Sequence, residues 1–217
     1  MFTHIAKSYD LMNRLMSGGR DLAWRRRLLR KLTLSDSAVV LDLGSGTGDL
    51  AGELYRQSPT LKIIAADFTL GMMTTGRDWH GIPRVNADAL TLPFQDQAFD
   101  ALVSGFLVRN VEDVDQALRE MARALKPGAG VAILDMTRPR KNLLSPLVNF
   151  FLNRVVPLMG ALITGQKEAY TYLPNSTQTF LSAEELAEKI RAAGFHNVQF
   201  ELLNFGTVAI HHASLPQ

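Results

Sequence analysis

Between residues 41 and 49 the chain reads Leu-Asp-Leu-Gly-Ser-Gly-Thr-Gly-Asp. Glycines at alternate positions, Gly44, Gly46 and Gly48, allow a tight turn and close approach of the backbone to a ligand. The turn is flanked by Asp42 and Asp49. Two carboxylates there repel a pyrophosphate, which needs donors, and attract an ammonium group. S-adenosylmethionine carries an ammonium and a sulfonium and no phosphate, so the charge pattern favours this methyl donor. The spacing G-x-G-x-G also departs from the G-x-G-x-x-G of dinucleotide folds, which counts against a nicotinamide oxidoreductase. Asp67 follows nineteen residues after Gly48, where a carboxylate accepts from two ribose hydroxyls. Asp88 and Ala89 can read an adenine edge, and Ser104 faces the same crevice. Cofactor contacts are therefore expected from Asp42, Gly44, Gly46, Asp67, Asp88, Ala89 and Ser104.

These residues need a scaffold. Short apolar runs at 38–43, 61–66, 82–87, 99–104 and 130–136 read as strands, and 49–57, 70–77 and 114–125 between them read as helices. Uniformly apolar strands alternating with helices imply a doubly wound α/β sheet, parallel and covered on both faces. Lys126-Pro127-Gly128 reads as the stop of the helix at 114–125. An N-terminal helical stretch, 9–32, is interrupted at Gly18-Gly19. Near the C-terminus, Ser182 and Glu185 form a capping box for a helix that ends before Gly194. Two strands, 197–203 and 207–211, are joined by Asn204-Phe205-Gly206 as an antiparallel hairpin. One domain is expected over 1–217, divided into basic N-terminal helices (1–35), a cofactor-binding core (36–137), an inserted lid (138–180) and a C-terminal helix and hairpin (181–217).

Composition removes several classes. The 217 residues hold no cysteine, which excludes disulfides, thiolate zinc sites and cysteine nucleophiles. His211 and His212 are adjacent on a strand and face opposite ways, and His4, His80 and His196 are isolated, so no metal is expected. The start has no signal-type apolar core and no run reads as a spanning helix, so the expected location is the cytoplasm. The net charge of +2 conceals basic clusters at Arg25, Arg26, Arg27, Arg30 and Lys31, and at Arg138, Arg140, Lys141, Arg154 and Lys167. Such clusters are either solvated helix faces or docking surfaces for an anionic membrane or nucleic acid.

Several segments together resemble the class I methyltransferases that C-methylate quinones, the demethylmenaquinone and 2-methoxy-benzoquinol methyltransferases. They are Tyr9-Asp10-Leu11-Met12-Asn13, LDLGSGTGDLA at 41–51, LPFQDQAFD at 92–100, Arg109-Asn110-Val111, ALREMARALKPG at 117–128, YTYLPNS at 170–176 and AAGFHNVQF at 192–200. The resemblance implies a seven-stranded sheet with the last strand antiparallel. It adds Thr47 to the cofactor contacts and repeats Asp67, Asp88, Ala89 and Ser104. Three positions depart from the family pattern. Gly105-Phe106-Leu107 precedes Val108-Arg109-Asn110 where the family usually has Phe-Gly before its Leu/Val-Arg-Asn, Asp21 replaces a common histidine, and Gly128-Ala129 replaces Gly-Gly.

The reaction implied is transfer of a methyl from sulfonium to the ring carbon of a demethylmenaquinol-type polyprenyl quinol. The alternatives are a benzoquinol, another aromatic or prenyl acceptor, or a non-catalytic binding protein. A quinol hydroxyl titrates near ~10, as tyrosine does, so the site must stabilise its anion. Arg109 suits that role, and by family analogy Arg109 and Asn110 activate a water that takes the proton. Tyr9, Tyr170 and Tyr172 are candidates to orient or cover the ring. The apolar stretch 143–163, flanked by Arg and Lys, suits a lid over an isoprenoid tail. Expected partners are the lipid-tailed quinol, the inner membrane face met through the basic helices, and a second copy of the chain; nucleic acid is not expected.

Overall fold

The computed structural model describes residues 14–15, 17–75, 79–138, 154 and 180–217. The lid stretch 143–163 (apart from residue 154), Tyr9, Tyr170 and Tyr172 lie outside them. The elements in chain order are α1 (Asp21–Leu29), β1 (Val39–Leu43), α2 (Asp49–Gln57), β2 (Lys62–Asp67), α3 (Leu70–Thr75), β3 (Arg84–Asn86), β4 (Phe99–Gly105), α4 (Val114–Ala124), β5 (Leu125–Met136), α5 (Ala183–Ala192), β6 (His196–Leu203) and β7 (Val208–Ser214). One sheet runs in the order β3-β2-β1-β4-β5-β7-β6. β1 through β5 pair in parallel, and β7 is antiparallel to both β5 and β6.

Side chains alternate across the strands and feed two apolar layers. Leu41, Leu43, Leu102, Val131 and Ile133 face α4 and α5, meeting Ala117, Leu118, Met121, Leu186 and Ile190. Val40, Ile63, Ala65, Ala101, Val103, Ala132 and Leu134 face α1 and α2, meeting Trp24, Leu28, Leu50 and Leu54. Period-2 alternation therefore places Asp42 on the α1/α2 face and Asp135 on the α4/α5 face. The expected capping box is present: Ser182 Oγ accepts from Glu185 N–H, and the Glu185 carboxylate accepts from Ser182 N–H. Gly18 and Gly19 both have positive φ and break the chain before α1.

One boundary expected from sequence is corrected. Lys126-Pro127-Gly128 does not separate α4 from β5 but lies inside β5. Phe99 pairs with Leu125 and Ala101 with Gly130, so three extra residues loop out of the ladder. Pro127 costs no ladder bond within such a bulge. Gly128, at φ +76, donates to the Pro216 carbonyl at 2.9 Å.

Candidate active site

The strand order reverses between β1 and β4, and ligands of open α/β sheets sit where it does, beyond the strand C-termini. A cavity of about 300 Å³ lies there. Its walls come from the ends of β1 and β2, the turn after β1, the loop after β3, and residues 105–112 after β4. Of the residues expected to meet a cofactor, Gly44, Gly46, Asp67, Asp88 and Ala89 line it.

Asp67 is the best-defined acceptor. One of its oxygens takes Gly46 N–H at 2.8 Å and the other takes Thr69 N–H at 2.7 Å. Each oxygen keeps a lone pair for a vicinal diol. Burial raises its pKa, while the Thr69 and Gly46 amides pull it back. The turn itself needs glycine at position 44. Gly44 has φ +75, and a Cβ there would stand 2.7 Å from Leu107 Cβ. Gly44 and Ser45 donate to the Ala66 carbonyl at 2.8 and 3.0 Å, which pins the turn to the end of β2. Asp88 accepts from Leu90 N–H at 2.9 Å, so its loop is preset before any ligand arrives.

Asp42 and Thr47 lie elsewhere. They line a second, small cavity of about 20 Å³ beneath the turn, with Arg25, Ser45, Asp49 and Leu50. The two cavities share Gly44, Gly46 and Gly105. Asp42 is fully buried, and neither of its oxygens has a hydrogen-bond partner within reach among the described residues. Burial lifts its carboxyl to about 7, against the pull of Arg25. Asp49, the other acid of the turn, is held by Arg14 at 3.0 Å and by Arg25 at 3.5 Å. Arg14 also pairs with Asp21, the residue that replaces the family's histidine. The charge around the turn is thus partly neutralised from within, which sequence alone did not show. Ser104 is fully buried at the end of β4 and lines neither cavity.

Arg109 is expected to face the substrate, but it is locked into the wall. Its Nη1 donates to Asp135 at 2.6 Å and to the Phe106 carbonyl at 3.1 Å, and both side chains of the ion pair are buried. It does not line the larger cavity, whereas its neighbour Asn110 does. Asn110 Nδ2 donates to the same Phe106 carbonyl at 3.0 Å. Phe106 sits at φ +63, in the left-handed region disfavoured for a side chain of this size. Two guanidinium groups lie over its ring, Arg25 at 5.6 Å and Arg109 at 5.5 Å from the centroid, and their cation–π attraction offsets the backbone cost.

Sequence reasoning missed the apolar lining, Phe68, Met72, Leu107 and Val111. Phe68 is 72% exposed although aromatic, and its place directly after Asp67 was the available signal. Arg25 was read as part of a basic surface. It is buried on the α1 stripe with Asp21, Trp24, Leu28 and Leu29, a spacing that reads as an inward face.

The ubiE/COQ5 methyltransferase family model matches residues 1–214. A demethylmenaquinone methyltransferase of Thermus thermophilus is 41% identical over 221 residues, covering 100% of both chains. A ubiquinone/menaquinone biosynthesis C-methyltransferase of Desulfotalea psychrophila is 41% identical, covering 97% of this chain and 87% of that protein. Among solved structures, a SAM-dependent methyltransferase of Thermotoga maritima superposes with a TM-score of 0.69 at 19% identity, covering 99% of each chain.

Proposed function

The chain belongs to the ubiE/COQ5 methyltransferase family, and from that premise we propose that it moves a methyl group from S-adenosylmethionine to a ring carbon of a demethylmenaquinol-type polyprenyl quinol. The observation that carries the reading is Asp67. It lines the larger cavity with both oxygens accepting from backbone amides, an arrangement that suits the donor's ribose. Asp88 and Ala89, which line the same cavity, are assigned to the adenine.

Loss of the quinol hydroxyl proton pushes electron density onto the adjacent ring carbon. That carbon forms the new C–C bond while the S–CH3 bond breaks, its electron pair returning to sulfur. The ring C–H proton then leaves, aromaticity is restored and the oxygen regains a proton, so the net release is one proton per methyl transferred. Asn110 is the polar side chain of the Arg-Asn pair that reaches the cavity, and we assign it the contact with the quinol oxygen. Arg109 positions it: both donate to the Phe106 carbonyl, and Asp135 holds Arg109 from behind. Much of the barrier is lowered by holding donor and acceptor in line. Tyr9, Tyr170, Tyr172 and the 138–180 lid are assigned to the ring and the isoprenoid tail on the resemblance alone. No helix among the described residues is long and apolar enough to cross a membrane. Peripheral contact through the outward arginines of α1 and its flanks, Arg20, Arg26, Arg27 and Arg30, is part of the proposal.

The name of the Desulfotalea psychrophila relative spans both quinone types, so a benzoquinol is the second reading. Incubation with methyl-labelled S-adenosylmethionine and reduced demethylmenaquinone or demethylated benzoquinone analogues, read by mass spectrometry, decides. Label in the naphthoquinol ring is expected. Label only in the benzoquinol shifts the nucleus, and label in neither overturns quinol methylation.

A further inference from the structure

The large apolar side chains that stand exposed among the described residues are Leu15, Phe68, Leu70 and Phe205. They come from three separate parts of the chain, yet all sit at one edge of the sheet, the edge at which the parallel strands end. Phe68 follows Asp67, the last residue of β2, and Leu70 opens α3. Phe205 is in the turn before β7, whose first residue, Val208, pairs with Met136 at the end of β5. Leu15 adjoins Arg14, which holds Asp49 at the start of α2, directly after the glycine turn. The larger cavity lies at this same edge, between the Phe68 side and the Phe205 side. Four strand steps separate β2 from β7, about 20 Å at the usual strand spacing. Phe205 is 63% exposed and belongs to neither apolar layer. It also sits at φ +57, between Asn204 at +49 and Gly206 at +82. A phenylalanine is disfavoured in that region, and core packing does not account for its presence.

We propose that this edge is a bilayer-docking face, Phe68 and Leu70 entering the acyl boundary on one side of the cavity and Phe205 on the other. The inference rests on the lipid-tailed acceptor of the proposed function and gives the membrane contact an orientation. The cavity faces the lipid, so the ring of a membrane-held quinol reaches the donor while its tail stays in the bilayer. Separate side chains spread over this distance suit lipid, which needs only individual insertions, and not a second protein, which needs a contiguous apolar patch. Arg20, exposed at the N-terminal end of α1, supplies a cation for anionic headgroups. That end is tied to the same edge by Arg14, which pairs with both Asp21 and Asp49. Asp88 and Glu112 are exposed there too and offset part of the attraction, so apolar insertion is the larger contribution.

The test sediments the full chain with phosphatidylcholine vesicles, with and without phosphatidylglycerol. Binding to both is expected, tighter with the anionic lipid. Phe205→Asn, which suits a left-handed turn, and Leu70→Gln should each weaken binding roughly three- to tenfold. Melting curves on the same samples check that both variants are folded. In Phe205→Trp, brominated lipid should quench emission beyond the quenching of the parent's own tryptophans. Methylation of a tail-less quinol should stay within about twofold of the parent in Phe205→Asn and Leu70→Gln, while methylation of a polyprenyl quinol held in vesicles falls with binding. Vesicle binding that ignores both replacements, whatever its dependence on phosphatidylglycerol, overturns the docking face, and so does the absence of added quenching at position 205. A larger species in sedimentation velocity without lipid, lost in Phe205→Asn, assigns the edge to a second copy of the chain and also overturns it. A parent protein that binds vesicles but leaves the tail-less quinol unmethylated overturns the quinol reading and not the docking face.

Discussion

Asp67 and Asp42 are both acids at the ends of parallel strands, yet their surroundings give them different work. Asp67 is satisfied by two amides and faces the cavity. Replacing it with alanine removes acceptors for two hydroxyls, and affinity for S-adenosylmethionine should drop roughly 10²-fold or more in calorimetry, with the fold intact by circular dichroism. Asp42 has no hydrogen-bond partner among the described residues and titrates at about 7 because burial penalises its charge. Its folded pKa lies above its unfolded value of 3.8. The stability it contributes is thus present below pH ~4 and is lost as pH rises through about 7. A neutral isostere avoids that loss. Ligand-free Asp42→Asn should be more stable than the parent at pH 8 by about 1–2 kcal/mol, roughly 2–8 °C in melting temperature. The advantage should shrink toward pH 4. A variant no more stable at pH 8 than the parent would show that Arg25 already compensates the charge.

The elements converge on one turn. α1 brings Arg25 against it, β2 brings Asp67, and the segment after β4 brings Leu107. This turn tolerates little. Gly44→Ala would meet Leu107 Cβ at 2.7 Å while also occupying φ +75. It should destabilise the protein by about 1–3 kcal/mol in denaturant unfolding. Donor affinity should fall with it, since Gly46 N–H and Asp67 would lose register. The arginine-rich α1 has divided duties. Arg25 turns inward, while Arg26 and Arg27 reach Glu53 at 3.0 Å and Glu201 at 2.7 Å with about half of each side chain still exposed. Part of the charge of the basic patch visible in the sequence is therefore paired with acids of the same chain. The outward remainder is what a membrane surface would meet.

Across the molecule, the Arg109–Asp135 pair ties the short turn after β4 to β5 through a buried contact. Breaking one partner leaves a buried charge unmatched. Arg109→Met should cost about 3–5 kcal/mol of stability, and adding Asp135→Asn should recover a good part of it. Activity should not return with stability in the double variant if Arg109 is needed to hold Asn110 in the cavity. Full recovery of turnover would remove Arg109 from the site altogether.

Strand alternation, the glycine spacing and the acids at strand ends are local patterns, so the α/β order, the hairpin, the capping box and the Asp67 position were legible along the chain. The inward turn of Arg25, the withdrawal of Arg109 behind Asn110, the bulge that absorbs Pro127 and the small charged cavity were not. Each depends on which side chain from a distant element faces it, and a buried charge is settled by that partner and not by its neighbours in sequence. The sequence alone determined which strand-end acid faces the cavity; only packing of α1 against β1 decided which charges lie beside it, because a buried charge is set by partners distant in the chain.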